Sequence, residues 1–215
     1  MRWIIGDVHG CFAELIRLLQ KIDFRSDRDH AIFLGDLVDR GSQSKDVLDF
    51  VQAGQAKGCF QVVRGNHEDD WMRAVRTGVV DWFSSLYPET WKSLAGRDGI
   101  KRLADWTETL PFYVETECAL LIHGGMIADK HYTKQDDKDF LWSRNSEFIP
   151  AEYRDNKLIV HGHTPSEYPI VLPDRINIDT GCVFGGHLTT LSLDALERGE
   201  IVWQSVEGWG RREVC

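Results

Sequence analysis

Acidic, histidine and asparagine side chains recur in this chain where short apolar runs end at glycine. Three such clusters occupy the first third, and two histidine sites follow apolar runs in the second half: residues 6–10, 35–41, 65–68, 123–125 and 161–165. Twenty-five residues separate His9 from Gly35, and twenty-five separate Asp39 from Gly65. Aspartate, histidine and asparagine without cysteine form a ligand set suited to Mn, Fe or Zn. The clusters therefore indicate a metal centre, and their glycines let the backbone turn so that these side chains converge.

Short strands and amphipathic helices alternate in the first 70 residues and would position these clusters. Residues 3–5, 31–34 and 60–63 are apolar strand candidates. Apolar residues at helical spacing predict a helix after residue 11 and a second one capped by Ser42 or Ser44. This order predicts adjacent parallel strands with helical crossovers. In such sheets polar residues gather beyond the carboxyl ends of the strands, so we expect the clusters to meet there.

The rest of the chain divides into a helical segment and a second group of strands. Residues 70–109 are predicted to be helical, interrupted by Pro88, Gly96 and Gly99. Seven later apolar runs predict strands: residues 112–115, 119–122, 158–160, 170–172, 176–178, 188–193 and 201–204. We expect an α/β fold, a β-sandwich with flanking helices and a helical insertion, as a single domain over residues 1–215. The tryptophans of the insertion either form the core of a helical cap or contact a nucleobase or a peptide: Trp71, Trp82, Trp91 and Trp106.

Composition limits the class of protein and its partners. The chain has 215 residues, of which 42% are hydrophobic and 27% charged, and its mean hydropathy is −0.32. The net charge of −9 argues against a general nucleic-acid binder, and no apolar window is long enough to span a membrane. Asp7 interrupts the first apolar run too early for a secretory signal. The five cysteines form no C-x-x-C pair, which indicates reduced thiols in a cytoplasmic protein.

One Asp-x-His or Gly-Asn-His alone is typical of a turn, but turn chemistry does not require histidines beside successive strand ends. Together these segments resemble the metallophosphoesterase pattern D-x-H-x25-G-D-x-x-D-x25-G-N-H-E. More narrowly, the chain resembles the PPP-type serine/threonine phosphatases of the bacterial and phage-lambda kind. The matching segments are VDRG at 38–41, VRGNHE at 63–68, LWSR at 141–144, GHTP at 162–165 and IDTG at 178–181. The resemblance covers most of the chain and implies a metallophosphoesterase-type sandwich for residues 1–215.

The resemblance implies a centre of two divalent metal ions, with Mn²⁺ expected first and Fe or Zn as alternatives. Asp7, His9 and Asp36 would hold the first ion, Asp36 would bridge, and Asn66, His123 and His163 would complete the second. A carboxylate with two oxygens can bridge two cations roughly 3.5–4 Å apart, which form a clamp for in-line phosphoryl displacement. A hydroxide held between the ions would be the nucleophile.

Further residues are implied to act on the phosphoryl group. Arg40 and Arg144 would bind its oxygens, because guanidinium forks match phosphate geometry, and Asn66 would assist them. His67 would protonate the leaving oxygen, and Asp39 would stabilise the imidazolium.

Two histidines compete for one ligand position in the segment His161-Gly162-His163. Strand alternation places both side chains on the same face. The family's ligand is the histidine after the glycine, which selects His163 and leaves His161 beside the ligands or in the core. Arg64 is expected to be structural.

The resemblance implies a phosphomonoesterase that hydrolyses phosphoserine or phosphothreonine in proteins, with phosphotyrosine left open. A dinucleoside polyphosphate hydrolase of the diadenosine tetraphosphate type is the alternative, because it shares the metal site and differs in the substrate groove. Asp39 favours the phosphatase, because symmetrical dinucleoside hydrolases often carry another residue there. An inactive scaffold that binds phosphorylated partners is a third hypothesis, which the complete ligand set opposes. The expected partners are phosphorylated proteins or peptides, without nucleic acid or membrane, and the expected oligomeric state is a monomer.

Overall fold

Two mixed β-sheets packed face to face, with helices on their outer sides, form the architecture of this chain. The computed structural model describes residues 1–144 and 147–208. The strands are β1 (Arg2–Ile5), β2 (His30–Phe33), β3 (Phe60–Val62), β4 (Tyr113–Glu115), β5 (Ala119–Ile122), β6 (Leu158–His161), β7 (Ile170–Val171), β8 (Arg175–Asn177), β9 (His187–Ser192) and β10 (Trp203–Glu207). The helices are α1 (Phe12–Lys21), α2 (Ser44–Ala56), α3 (Asn66–Thr77), α4 (Val80–Ser84), α5 (Pro88–Ser93), α6 (Arg97–Thr107), α7 (Asp137–Trp142) and α8 (Leu193–Glu197).

The sheet topology agrees with the strand–helix order of the sequence. The first sheet has the order β10-β9-β1-β2-β3, and the helices α1 and α2 cross over between its parallel strands β1, β2 and β3. The strands β9 and β10 are antiparallel additions. The second sheet has the order β4-β5-β6-β8-β7, with β5, β6 and β8 parallel and β4 and β7 antiparallel at its edges. The predicted α/β sandwich with flanking helices is therefore confirmed.

Alternate side chains of β1 and β2 face opposite sides of the first sheet. Ile4 and Ile32 lie in the cluster shared with the second sheet, whereas Ile5 and Phe33 lie in the cluster shared with α1 and α2. Successive strand residues point to opposite faces, and a strand buried on both faces must be apolar throughout. This double burial explains the uninterrupted apolar runs and gives the loops beyond them a closely packed base.

The helical insertion begins earlier than expected and shares a core with the helices of the first sheet. The helix α3 begins at Asn66 rather than near residue 70, so the insertion starts inside the third polar cluster. Trp71 is fully buried in the same cluster as side chains of α1 and α2. Trp91 and Trp106 pack against that cluster, whereas Trp82 is 65% exposed. The core interpretation therefore holds for three of these tryptophans and fails for Trp82.

The start of α2 differs from the predicted capping. The helix begins at Ser44 itself, and Gln43 precedes it without a side-chain cap. The buried Ser44 hydroxyl accepts the backbone N–H of Asp39 at 3.3 Å and lies 3.2 Å from the Thr90 hydroxyl. The serine therefore supports a loop of the second polar cluster instead of the end of its own helix.

The cysteines form no disulfide in the part of the chain that the structure describes. Cys59, Cys118 and Cys182 are free thiols, and Cys215 lies outside the described residues. Within residues 1–144 and 147–208, the helices are too short or too polar for any of them to cross a lipid bilayer.

Candidate dinuclear metal centre

The polar clusters meet where the carboxyl ends of the central strands of both sheets come together. The expected ligands follow β1 (Asp7 and His9), β2 (Asp36), β3 (Asn66), β5 (His123) and β6 (His163). Five of these side chains are buried and His163 is half-buried. Parallel strands end at a common edge, which is why residues far apart in the sequence are gathered in one place.

Asp36 lies in the middle of this cluster and faces histidines on two sides. Its Oδ2 is 3.4 Å from Nε2 of His9, and its Oδ1 is 3.4 Å from Nε2 of His123. Two groups of possible metal ligands share Asp36, one with His9 and His67 and one with His123 and His163, and the ligand atoms in each lie within 4.8 Å of one another. A carboxylate that offers a separate oxygen to each group is suited to bridge two cations.

The imidazole rings of His9 and His123 direct lone pairs at the cluster. Nδ1 of His9 lies 2.7 Å from the Val38 carbonyl, and Nδ1 of His123 lies 2.8 Å from the Leu34 carbonyl. Each ring therefore donates from Nδ1 and keeps Nε2 as an acceptor, the arrangement typical of metal-ligating histidines. Nε2 of His123 nevertheless lies 2.8 Å from Oδ1 of Asn66, another acceptor. Acceptors that converge in this way fit a shared cation.

The protonation states of the histidines also fit a metal. Nδ1 of His163 lies 2.9 Å from Oδ1 of Asn66, while its buried Nε2 has no hydrogen-bond partner among the described residues. Burial lowers the pKa of His163 to about 3 and that of His9 to about 3, and it lowers the pKa of His123 below its usual value. All three rings are neutral at pH 7 and keep a lone pair for a cation.

Asp7 is buried beside a second carboxyl group, Asp179, which the sequence analysis did not assign to the site. Oδ2 of Asp7 accepts the backbone N–H of His163 at 3.1 Å, and the ligand group around His9 contains His67 instead of Asp7. Burial, with the charges of Asp179 and Asp36, raises the pKa of Asp7, and burial raises the pKa of Asp179 to about 6. Crowded carboxyl groups favour a nearby cation. The IDTG match at 178–181 was the available signal for Asp179.

His67 and Asp39 form a buried pair at the edge of the centre. Nδ1 of His67 lies 2.6 Å from Oδ2 of Asp39, and the other Asp39 oxygen accepts the indole N–H of Trp71 at 2.8 Å. The Thr90 hydroxyl accepts a hydrogen bond from the backbone N–H of Asp39 at 3.0 Å. Burial lowers the pKa of His67, but the charges of Asp36 and Asp39 outweigh it, so the pKa lies above its usual value. This imidazole is suited to donate a proton near neutral pH.

The two expected phosphate-binding arginines differ in their relation to the centre. The Arg40 guanidinium contacts the His9 ring and lies 5.4 Å from the centroid of the Phe184 ring. Arg144 is exposed and lines a neighbouring cavity, and its charge contributes, after burial and His123, to the lowered pKa of His163. Arg40 is thus in direct contact with the ligand cluster, whereas Arg144 lies at its rim.

Arg64 lies away from the ligand cluster and joins the insertion to the strand that precedes it. Its guanidinium donates to the carbonyls of Glu108 and Leu110, each at 3.2 Å, and to the Asp69 carboxylate at 3.3 Å. It also lies 4.4 Å from the centroid of the Phe112 ring. These contacts agree with the expected structural role.

His161 and His163 have different surroundings, contrary to the expected strand alternation. The strand β6 ends at His161, and His163 has a φ of 66°. His163 contacts Asn66, while the buried His161 lies with Nδ1 3.0 Å from the Gly162 carbonyl and lines a cavity with Arg175. The prediction of a shared face is wrong because alternation requires a continuous extended backbone.

The loops of the centre have a strained backbone that Glu68 holds in place. Four non-glycine residues adopt the left-handed backbone conformation, which costs conformational energy for any residue with a side chain. They are His9, Asp36, Asp39 and Arg40, with φ values of 47°, 49°, 70° and 69°. The Glu68 carboxylate accepts the backbone N–H groups of residues 36–38 at 2.9, 2.8 and 3.2 Å. A Cβ on Gly65 would lie 2.2 Å from the backbone nitrogen of Asp36, so only glycine allows this approach. Glu68 belongs to the VRGNHE match at 63–68, but its role follows only from these contacts.

A two-sheet sandwich with aspartate, histidine and asparagine side chains gathered at the strand ends is typical of a metal-dependent phosphoesterase. The model of the calcineurin-like phosphoesterase family matches residues 2–201, and the chain belongs to this family. The recognition of a metallophosphoesterase of the PPP type is therefore confirmed. The family uses divalent metals, and the two ligand groups around Asp36 provide a site for them.

The relatives of this chain include two kinds of phosphoesterase. It is 32% identical to the asymmetrical bis(5'-nucleosyl)-tetraphosphatase PrpE of Anoxybacillus flavithermus, over 90% of this chain and 91% of that protein, and proteins of the same name from other bacteria align similarly. It is 31% identical to serine/threonine-protein phosphatase 1 of Salmonella typhimurium, over 87% of this chain and 89% of that protein. The structure of a protein serine/threonine phosphatase from Saccharomyces cerevisiae has the same fold, with a TM-score of 0.75, 18% identity and coverage of 99% of this chain and 81% of that chain.

Proposed function

We propose that this chain hydrolyses dinucleoside polyphosphates of the diadenosine tetraphosphate type and cleaves them asymmetrically. The observation that carries the proposal is the alignment with the asymmetrical tetraphosphatase of Anoxybacillus flavithermus, over nine tenths of both chains. Proteins of that name from several other bacteria support the same substrate class. These relatives favour the dinucleoside polyphosphate hydrolase over the protein phosphatase.

Two divalent cations would be held by the six expected ligands Asp7, His9, Asp36, Asn66, His123 and His163. Mn²⁺ is the ion we propose, because neutral imidazole and carboxylate together suit this borderline-hard metal. When bound, such cations stabilise charge on the phosphoryl oxygens and lower the pKa of water to near neutrality.

The residues of the chain itself would bind the polyphosphate and transfer the proton. Arg40 lies against the His9 ring, so its guanidinium can pair with a phosphoryl oxygen at the ligand cluster, assisted by the amide of Asn66. Arg144, exposed at the rim, would contact a phosphate farther along the polyphosphate of the substrate. Nε2 of His67, at 3.9 Å from Oδ2 of Asp36, faces the centre and would donate its proton to the leaving oxygen.

The position of Asp39 determines which nitrogen of His67 is free to act. Asp39 binds Nδ1, so the proton on Nε2 is the one presented to substrate. The leaving oxygen of a polyphosphate is weakly basic and needs little protonation, whereas the alkoxide of phosphoserine needs much. Hydrolysis of the anhydride therefore depends less on His67 than hydrolysis of a phosphoserine ester.

A phosphoserine or phosphothreonine protein phosphatase is the second candidate. The 31% identity to the Salmonella phosphatase favours it, and so does the His67–Asp39 pair, which suits a basic leaving group. For both functions we propose a monomer that acts in the cytoplasm, where thiols such as Cys59 and Cys182 stay reduced. The substrate of this second function would be a phosphorylated protein or peptide.

A direct competition of substrates tests the proposal. Diadenosine tetraphosphate and a phosphoserine peptide are supplied at equal concentration with Mn²⁺, and the products are separated by chromatography. We expect kcat/KM for the dinucleotide to exceed that for the peptide by about tenfold or more, a difference of about 1.4 kcal/mol in transition-state binding. The His163→Ala variant is the control, because loss of a proposed ligand should reduce both activities in parallel if they arise at this centre. A preference for the peptide would select the second candidate.

A further inference from the structure

An open cleft with a volume of about 640 Å³ lies between the segment after His163 and the segment that connects β8 to β9. Its walls include Pro165 and Tyr168 on the segment after His163, and Gly181 and Phe184 on the segment after β8. Tyr168 is 66% exposed and Phe184 is 63% exposed. Two large aromatic side chains thus line one open space.

A rigid turn presents the Phe184 ring to this cleft. The 3₁₀ turn Cys182–Phe184 lies between Gly181 and Gly185, whose φ values of 68° and 85° are in the left-handed region. Cys182 and Val183 are buried in the main core, so the preceding residues of the turn are anchored. An anchored turn that leaves a phenylalanine exposed offers a ring face at small entropic cost.

Arg40 connects this ring to the phosphoryl site. One side of its guanidinium contacts the His9 ring within the ligand cluster, and its Cζ lies 5.4 Å from the centroid of Phe184. This distance is within the range of a cation–π contact, which also orients the guanidinium. A phosphate paired with Arg40 would therefore be separated from the Phe184 ring by a single guanidinium group.

We propose that Phe184 and Tyr168 form a subsite for the nucleobase of the nucleotide whose phosphorus is attacked, an inference that rests on the proposed dinucleoside polyphosphate hydrolysis. Every nucleobase has a π-face that stacks on aromatic side chains, and one ribose separates the base from its phosphate. Glu167, which also lines the cleft, carries a negative charge that opposes entry of the polyphosphate chain and can accept hydrogens from a base amino group. The neutral base fits this space better than the anionic chain does.

This placement explains asymmetrical cleavage. With the base on Phe184, the phosphorus at the metal centre is the one bonded to that nucleoside. The oxygen of water bonds to this phosphorus, the bond from the phosphorus to the next bridging oxygen breaks, and the two protons of water are shared between the products. Diadenosine tetraphosphate then yields AMP and ATP, whereas attack one phosphorus farther along would yield two ADP.

The test measures how much the base contributes to binding in each variant. AMP and ribose 5-phosphate, which differ only by the base, compete with nitrophenyl phosphate in the Mn²⁺-supplemented protein, and calorimetry measures their binding directly. We expect AMP to bind more tightly than ribose 5-phosphate, and Phe184→Ala to reduce that ratio by about 5-fold to 100-fold, the range of one base–aromatic stack. Phe184→Tyr should retain the ratio. Trp203→Ala is the matched control, because Trp203 is an exposed aromatic four residues along β10 from Glu207, which pairs with His187 of the cleft.

The outcomes separate this subsite from the proposed function. An unchanged ratio in Phe184→Ala, or equal binding of AMP and ribose 5-phosphate to the wild-type protein, would overturn the subsite. A rise in KM for a phosphopeptide without a change for AMP would also overturn it and identify the cleft as a peptide groove. If the wild-type protein cleaves nitrophenyl phosphate but leaves diadenosine tetraphosphate intact, the proposed function fails, while the binding ratio still decides whether the base subsite exists. Two ADP as products would contradict the placement of the base.

Discussion

The two sheets contribute to the centre in different ways. Beyond the first sheet, Asp39 is completely buried, with one oxygen on His67 and the other on Trp71, and Glu68 holds the backbone of residues 36–38. Beyond the second sheet, His123 is also buried, but Arg144 and Phe184, the latter on the segment that connects β8 to β9, are exposed. The difference separates the chemistry from the choice of substrate, because proton transfer requires fixed geometry while a binding rim can change without disturbing it.

This contrast gives different expectations for substitutions in the two regions. A change beyond the first sheet should alter kcat according to the leaving group, since it affects the metal ligands or the proton donor. A change at the rim of the second sheet should alter KM, by an amount that depends on the part of the substrate beyond the reacting phosphoryl group. The predictions below test this division, beginning with the residue that belongs to both ligand groups.

Asp36→Asn should have the largest effect, because Asp36 is proposed to bridge both metals. We expect the metal content of dialysed protein to fall from about two equivalents per chain to well below one, and activity to fall to background. His9→Ala is the comparison, since it should mainly weaken one site. Two full equivalents of metal in Asp36→Asn would exclude the bridging role.

His67→Asn should reduce kcat on a phosphoserine peptide by about 10²–10⁴-fold, the usual contribution of a positioned acid. On diadenosine tetraphosphate and on nitrophenyl phosphate the loss should be clearly smaller, because their leaving oxygens are weakly basic. The measurement is kcat for the three substrates at saturating Mn²⁺, so that metal loss does not imitate the effect. Equal losses on all three would assign His67 to positioning of metal or phosphate.

His163→Ala should reduce activity at limiting Mn²⁺ by about 10²-fold, whereas His161→Ala should change it little. His163 presents a buried lone pair beside Asn66 and Asp36, and its loss removes a proposed ligand. His161 contacts the Gly162 carbonyl and not the ligand cluster. A titration of activity against Mn²⁺ checks the order of the two variants, and the reverse order would exchange their roles.

Asp39→Asn should shift the pH profile on the phosphoserine peptide. Burial lowers the pKa of His67, and Asp36 followed by Asp39 raises it, so loss of the Asp39 charge should lower that pKa. Because the protonated imidazole is the active form, activity is lost as pH rises through this pKa. We therefore expect the alkaline limb of kcat to move to lower pH, with about a tenfold loss near neutrality. A limb that stays in place would separate Asp39 from the acid.

Arg144→Ala should have the smallest effect of the five, about threefold on KM for diadenosine tetraphosphate, because an exposed charge is largely screened by water. Arg40→Ala should be more damaging, since Arg40 contacts the ligand cluster directly. Metal content should stay at the wild-type value in Arg144→Ala. Unchanged kinetics on every substrate would remove Arg144 from the site, and equal losses for the two arginines would contradict the distinction between centre and rim.

Much of the fold, and the gathering of the polar clusters at one place, was predictable because the patterns are local. The apolar runs of β1, β2 and β3 stop at polar clusters with characteristic spacing, and parallel strands necessarily end at one edge. Two errors arose where a tertiary contact or a change in backbone direction overrides the local pattern. Ser44 was expected to cap a helix, but its hydroxyl lies against Thr90 and Asp39. His161 and His163 were expected on one face, but the strand ends between them.

The sequence by itself determined the strand–helix order of the first 70 residues and the family, and it proposed the metal ligands, because these follow from residue type and spacing along the chain. Only the tertiary structure decided that Asp179 lies beside Asp7, that Trp71 binds the second oxygen of Asp39, and that Glu68 holds the loop after β2. The physical reason is that hydrogen bonds and pKa values depend on distances between residues that the chain brings together only on folding. The contact between Phe184 and Arg40 likewise forms only on folding, since 143 intervening residues separate the two along the chain.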